Sequence, residues 1–296
     1  MFIELKNRKL SAQISDKGAE LQSFYSLQES REYIWQPGTD VFDGHAPILF
    51  PAAGRIDRSR VLIRGKEYPM SMHGFAKDRI FAVKQADPHQ ALLELASDPE
   101  LLRVFPYRFR LQVQYQLFPD QLVQTFRVYN DGADDMFFSL GVHPALYCPV
   151  ILDETAADYV LRFDRPQNTY RIVLEPGTRL CTEQRVPWLQ GEREIPLAES
   201  FFDGGPILSG GYDADAVTLL SRRSGAGICI GIKDFPYMTF WGPPRRMSLI
   251  CVEPWCGLSD FKGTGHVWET KAGSNRLEPH GVFIRQLTFS PILTRP

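Results

Sequence analysis

Leu111-Gln112-Val113-Gln114-Tyr115-Gln116-Leu117 alternates apolar and polar residues without a fault. That is the period-two signature of a strand with one face in a core and the other toward water. Pro119-Asp120 follows as a turn, and Leu122 to Tyr129 reads as the return strand. Asn130-Asp131-Gly132 then turns the chain into a third strand ending at His143, so the stretch predicts a three-strand antiparallel meander. Working outward, further short strands are predicted at residues 2–5, 9–15, 19–26, 61–64, 79–85, 90–95, 158–163, 216–220, 227–232, 237–241, 247–253 and 282–289. Helical periodicity is nearly absent. The one helix candidate is Ser97-Asp98-Pro99-Glu100-Leu101-Leu102-Arg103, where a capping residue precedes a proline in the first turn. The 22 prolines and 23 glycines are spread along the chain rather than gathered in a linker, and no repeat is present. The expected fold class is therefore all-β: one large antiparallel sandwich domain over residues 1–296, with few short helices.

Composition narrows the function classes. The 296 residues carry a formal charge of −2, without the block of like charge that nucleic acid or an anionic membrane surface would call for. The five cysteines form no C-x-x-C pair, and Cys229, Cys251 and Cys256 lie in or beside apolar strands. That usage fits buried thiols in a reducing compartment. The N-terminal Met1-Phe2-Ile3-Glu4-Leu5-Lys6 runs straight into alternating sequence, and no apolar run approaches membrane-spanning length. A soluble, cytoplasmic monomer or homodimer is the expectation.

Two ionisable residues stand where burial is costly. Glu253 closes the apolar run Met247-Ser248-Leu249-Ile250-Cys251-Val252 and is followed by Pro254-Trp255-Cys256-Gly257. His143 closes Phe137-Phe138-Ser139-Leu140-Gly141-Val142 and is followed by Pro144. Each proline favours an extended backbone for the residue before it. A buried acid and a buried imidazole, both fixed at strand ends, fit a general acid/base pair. A structural ion pair or a satisfied core histidine would have the same pattern. Three other segments join them. Arg55 ends Pro47-Ile48-Leu49-Phe50-Pro51-Ala52-Ala53-Gly54, and its guanidinium is a candidate donor to hydroxyls in a cleft. His73-Gly74 offers an imidazole beside a glycine at which the backbone can approach a ligand. Asp234-Phe235-Pro236-Tyr237-Met238-Thr239-Phe240-Trp241-Gly242 offers Asp234 and an aromatic platform at Trp241 for a sugar ring. The six histidines show no metal-ligand spacing, and no dinucleotide, P-loop or G-x-S-x-G motif is present. No metal or cofactor is expected. What is left is proton transfer on a small, hydroxyl-rich molecule.

Together, Leu49-Phe50-Pro51 with Gly54-Arg55, His73-Gly74-Phe75-Ala76, Gly141-Val142-His143-Pro144-Ala145 and Val252-Glu253-Pro254-Trp255-Cys256-Gly257 resemble the aldose 1-epimerase (galactose mutarotase) family. The match is nearest to its shorter, LacX-like bacterial branch. Supporting stretches are Asp16-Lys17-Gly18-Ala19-Glu20-Leu21 and Asn275-Arg276-Leu277-Glu278-Pro279. The resemblance implies a galactose-mutarotase-like supersandwich that interconverts sugar anomers. It puts the general base on Glu253, the general acid on His143, and sugar contacts on His73 and Arg55. Lys77 stands where many relatives have arginine, and Gly-Val-His-Pro-Ala-Leu replaces the Asn-His-x-Tyr-Phe-Asn-Leu block of full galactose mutarotases, which leaves the particular sugar open. One alternative is a hexose-6-phosphate mutarotase, with Arg245-Arg246, Lys233 or Lys77 toward the phosphate. Another is a non-catalytic carbohydrate-binding or sensory module. A glycosidase would need a second carboxylate, for which Asp234 and Asp260 are the candidates.

Overall fold

The computed structural model describes residues 1–38 and 41–294. The alternating stretch lies in the strand Phe109–Leu117, which is alternately buried and half-buried along its whole length. It pairs with Leu122–Asn130 across the Pro119-Asp120 turn. The predicted third strand behaves differently. Val282–Ile292 occupies the free edge of Leu122–Asn130, and Gln90–Ala96 occupies the other side of Phe109–Leu117. The chain after Asn130 leaves the meander instead. Met136–Phe138 pairs with Asn275–Leu277, and Leu140–Val142 pairs with Leu249–Cys256. The Asn130 side chain directs this departure. Its amide N–H groups donate to the carbonyls of Asp134, Leu277 and Glu278, while its oxygen accepts from Gly132 N–H. The turn is thereby tied to the segment ahead of Val282–Ile292.

All of these strands except Met136–Phe138 and Asn275–Leu277, which form a separate pair, belong to one 15-stranded antiparallel sheet. Its path runs Ile48–Leu49, Leu140–Val142, Leu249–Cys256, Tyr237–Trp241, Ile207–Gly210, Tyr159–Leu174, Ala216–Ser221, Gly227–Gly231, Val282–Ile292, Leu122–Asn130, Phe109–Leu117, Gln90–Ala96, Ala82–Asp87. Ala145–Tyr147 adds to Leu249–Cys256, and Cys181–Pro196 adds to Tyr159–Leu174. A second sheet of Phe2–Lys6, Leu10–Ser15, Leu21–Ser26 and Arg31–Glu32 packs on the meander end. Ile14, Leu21 and Phe24 share a core with Leu93, Leu111, Val113 and Leu117. The hydroxyl of fully buried Tyr115 is satisfied between the layers, donating to Ala19 O at 2.7 Å and accepting from Gln124.

The helix expected over Ser97–Arg103 is reduced to a three-residue 3₁₀ turn, Leu101–Arg103, where Asp98 Oδ1 accepts Leu101 N–H. Every helical segment among the described residues is equally short, and none is long and apolar enough to cross a membrane. Among the strands not foreseen, Cys181–Pro196 is the longest. It is largely exposed and rich in charge, so it carries no apolar alternation to read. It is an edge strand held by one neighbour. Cys148, Cys181, Cys251 and Cys256 are buried free thiols, and Cys229 is half-buried.

Candidate active site

Leu249–Cys256 is buried at every residue. On one side it pairs with Tyr237–Trp241; on the other it meets two short strands, Leu140–Val142 and Ala145–Tyr147. Those two are interrupted at His143-Pro144, because the proline has no N–H for the ladder. The register is the same on both sides of the interruption: Gly141 faces Trp255 and Ala145 faces Cys251. His143 therefore lies opposite Glu253. Its backbone is held by His143 N–H donating to Pro47 O, and the partner strand by Val252 N–H donating to Pro144 O. The side chains meet with His143 Nε2 3.3 Å from Glu253 Oε1, and Glu253 is only 1% exposed. Two residues far apart in sequence become cross-strand partners.

The second histidine is fixed by a clasp of two loops. Gly54 N–H donates to His73 Nδ1 at 3.1 Å, and His73 N–H donates back to Gly54 O. An Nδ1 that accepts leaves the ring proton on Nε2. Burial first, then the nearby His143, Lys77 and Arg55, hold His73 well below the usual imidazole range, so it is neutral at neutral pH. Gly74 has a different job from the expected approach to a ligand. Its φ is +71°, and a Cβ there would overlap the carbonyl of Phe50. The glycine lets residues 73–76 dock on the Phe50-Pro51 backbone, where Phe50 O accepts both Phe75 N–H and Ala76 N–H. The same loop places Arg55. Arg55 N–H donates to Ser259 Oγ, and Arg55 O accepts Asp260 N–H. Asp260 is buried behind it, ion-paired with Lys271 and accepting Asp57 N–H at 2.9 Å, so it anchors the loop.

These elements enclose a cleft of about 500 Å³ lined by Arg55, His73, His143, Trp241 and Glu253 together with Phe42, Thr239 and Trp255. Five of the six residues expected in the site line it. Asp234 does not. It sits exposed in a left-handed turn ahead of Tyr237–Trp241, its carbonyl facing Cys256 Sγ. Neither Asp234 nor Asp260 is among the lining residues, so no second carboxylate faces Glu253 from either. Lys77 pairs with Asp78, and the Arg245 backbone N–H is bound by Asp203. The Phe42 ring stacks on His143 at 5.0 Å and 11° and lies 5.9 Å from Trp241. The sequence offered no signal for Phe42, which lies in a loop, nor for Arg179 and Phe202 on the opposite wall. Thr239 and Trp255 fall in segments already of interest, but only the register shows that they flank Glu253. A recess of about 580 Å³ elsewhere is lined by groups that already have partners: Glu154 accepts from Ser221 and from Tyr159 outside the lining, and Arg162 and Arg222 both bind Glu194, also outside it.

Burial dominates the electrostatics. It pushes the Glu253 carboxyl well above the ordinary carboxylate value; the Trp255 indole works the other way without closing a hydrogen bond. Burial also lowers His143 to about 4. A neighbouring carboxylate alone would have kept His143 charged. Desolvation works against that attraction and favours the neutral form of both groups. Cys251 lies close by, and His143, Cys251 and Glu253 are the one group of metal-ligating type among the described residues. Burial first, then the adjacent Glu253 carboxyl, hold the Cys251 thiol well above its ordinary value.

Comparison with known proteins agrees with this architecture. The aldose 1-epimerase family model matches residues 1–191. Protein LacX of Lactococcus lactis subsp. lactis, in its plasmid form, is 30% identical over 286 residues, covering 94% of this chain and 95% of LacX. Among solved structures, a galactose mutarotase-like protein from Lactobacillus casei superposes with a TM-score of 0.91 at 31% identity, covering 99% of this chain and 100% of that one. A galactose mutarotase related enzyme from Lactobacillus acidophilus gives a TM-score of 0.93 at 26% identity, covering 99% and 98%.

Proposed function

The chain belongs to the aldose 1-epimerase family, and we propose that it interconverts the α and β anomers of a hexose by acid/base ring opening, with Glu253 as base and His143 as acid. The observation that carries this reading is the 3.3 Å contact between buried Glu253 and partly buried His143 inside an aromatic-lined cleft. Glu253 takes the proton of the anomeric hydroxyl O1 while His143 gives one to the ring oxygen O5. The C1–O5 bond breaks and C1–O1 becomes the aldehyde. After rotation about C1–C2, both transfers run backwards onto the other face. The pair carries one proton throughout: carboxylate with imidazolium beside the closed ring, carboxylic acid with imidazole beside the open chain. Burial favours the neutral arrangement, and the short contact lets the other form without exchange with solvent. His73, neutral with its proton on Nε2, is suited to donating to a sugar hydroxyl, as is Arg55. Trp241 and Phe42 offer faces to the ring.

Turnover needs one proton on the pair, so kcat/KM should be bell-shaped, with both limbs belonging to the pair as a unit. The acid limb falls where His143 takes up a second proton, near pH 4, and the alkaline limb where the raised Glu253 carboxyl finally ionises. A profile with its acid limb at the ordinary histidine value of 6.5 would contradict the burial argument. The direct test is NMR exchange spectroscopy on equilibrated glucose and galactose with catalytic amounts of protein. Growth of anomeric cross-peaks supports the enzyme. Sugar binding without exchange would favour the carbohydrate-binding module.

Arg179 favours a second reading, a phosphorylated hexose. It lines the cleft from a hairpin turn at φ +60°, and its guanidinium donates to Gly204 O. It lies against Gly205, where any Cβ would overlap it. Neither it nor Arg55 has a carboxylate partner within ion-pair distance among the described residues. Charge-assisted bonds to phosphate oxygens would satisfy both. If so, glucose 6-phosphate is exchanged faster than glucose, and Arg179→Gln reduces that preference about tenfold or more while sparing glucose. An unchanged ratio in the variant would remove Arg179 from substrate recognition.

A further inference from the structure

Seven buried side-chain polar atoms have no hydrogen-bond partner among the described residues, and four of them belong to residues that line the cleft: Glu253 Oε2, His143 Nδ1, Thr239 Oγ1 and Trp255 Nε1. Burying a donor without an acceptor is costly, so such atoms are scarce in folded proteins. Several at one place mark where a ligand supplies the missing partners. Their arrangement follows from the sheet. Thr239 lies directly across from Glu253 in the pair Tyr237–Trp241 and Leu249–Cys256. Opposed residues on antiparallel strands have Cα atoms about 4.5–5.5 Å apart. Trp255 follows Glu253 by two residues on the same strand and so shares its face. Thr239 and Trp255 are each 4% exposed, and both line the cleft. Thr239 thus adjoins Glu253 from the strand on the side away from His143, and Trp255 is its neighbour on the same face of its own strand.

We infer that Thr239 Oγ1–H and Trp255 Nε1–H hold the anomeric oxygen O1 of the sugar against Glu253 Oε2 and stabilise the negative charge O1 carries as its proton leaves. This rests on the acid/base reading of the site. In the step, the O1 proton passes to Oε2, the O1 electrons form the C1=O1 bond, and the C1–O5 pair takes the proton from His143 Nε2. Neither donor has a hydrogen-bond partner within the protein, Oε2 included, which leaves both free for an oxygen placed between them. Because charge on O1 peaks between the hydroxyl and the aldehyde, the two hydrogen bonds are strongest in the transition state. That separates them from His73 and Arg55, whose contacts with sugar hydroxyls are the same before and during reaction.

The test uses the full chain and the sugar that the wild type exchanges fastest among glucose, galactose and their 6-phosphates. Thr239→Val and Trp255→Phe are each expected to lower kcat about ten- to a hundredfold with KM little changed. Thr239→Ser, which restores the hydroxyl, should recover most of the rate. The alkaline limb of the pH profile, which Glu253 sets, should stay in place in Thr239→Val and Thr239→Ser, since the hydroxyl acts on O1 and not on Glu253. Unchanged kcat in both Thr239→Val and Trp255→Phe would overturn the inference, as would a rise in KM alone or a loss that serine does not recover. An alkaline limb that moves in Thr239→Val while the plateau rate is kept would overturn it too, by making Thr239 a tuner of Glu253. In each of these cases the wild type still exchanges anomers and the acid/base reading stands. Absence of exchange by the wild type with all four sugars overturns that reading, and the inference falls with it.

Discussion

Glu253→Gln is expected to reduce anomer exchange by about 10²–10⁴-fold while leaving the fold intact. Glutamine has the shape of glutamate and keeps an oxygen toward His143 Nε2, now 3.3 Å from Glu253 Oε1. What it loses is an oxygen able to take the O1 proton. The fold should not suffer, because the native carboxyl is buried, 1% exposed, and its burial already favours the neutral form. Replacing an ionisable group by a neutral isostere at such a place is neutral or stabilising. The measurement is the exchange rate of the variant beside its melting temperature. Wild-type-like exchange would remove Glu253 as the base. A lost rate accompanied by a large fall in melting temperature would make the residue structural.

Gly74→Ala should destabilise the protein by about 2–5 kcal/mol. The residue sits at φ +71°, and its added methyl would overlap backbone atoms of Phe50 and Pro51, which cannot swing aside as a flexible side chain can. Phe50 is fully buried and packs against the rings of Phe75, Phe105, Phe109 and Phe138, so it has no room to retreat. The displacement would also pull His73 from its clasp with Gly54 and so raise KM. Gly177→Ala is the control. It too has positive φ, +85°, but nothing lies within 4 Å of its added methyl. It should lose only the conformational part, about 1 kcal/mol. Equal shifts of the urea midpoint in the two variants would show that overlap with Phe50 contributes nothing.

The strand reading was most reliable where burial on one face imposes alternation, as at Phe109–Leu117, and where burial on both faces makes a continuous apolar run, as at Leu249–Cys256. It failed at Cys181–Pro196, since an exposed edge strand has no face that must be apolar. It also failed on the partner of Leu122–Asn130. Asn130-Asp131-Gly132 is a correct turn signal, but a turn does not say which edge is already taken. The site followed the same rule. Glu253 and His143 were legible because an ionisable residue at the end of an apolar run conflicts with its surroundings. Asp234 was misread because an acid beside aromatics in sequence need not share their face. The His-Gly pair was placed in the cleft for a reason that the fold replaced: its glycine serves a backbone contact within the protein.

Local sequence by itself therefore determined the all-β class, most of the strands, and the two residues whose burial demands an explanation. These are set by period, by turn chemistry and by the cost of a charge in an apolar run, all of which act over a few residues. Tertiary structure alone decided that His143 faces Glu253 across a broken ladder, that Thr239 faces it from the other side, and that Phe42 and Arg179 close the cleft. Those facts depend on the pairing register between segments separated by up to about two hundred residues. Burial in the assembled sheet then outweighs the attraction within the pair and sets its protons, and no local pattern encodes that balance.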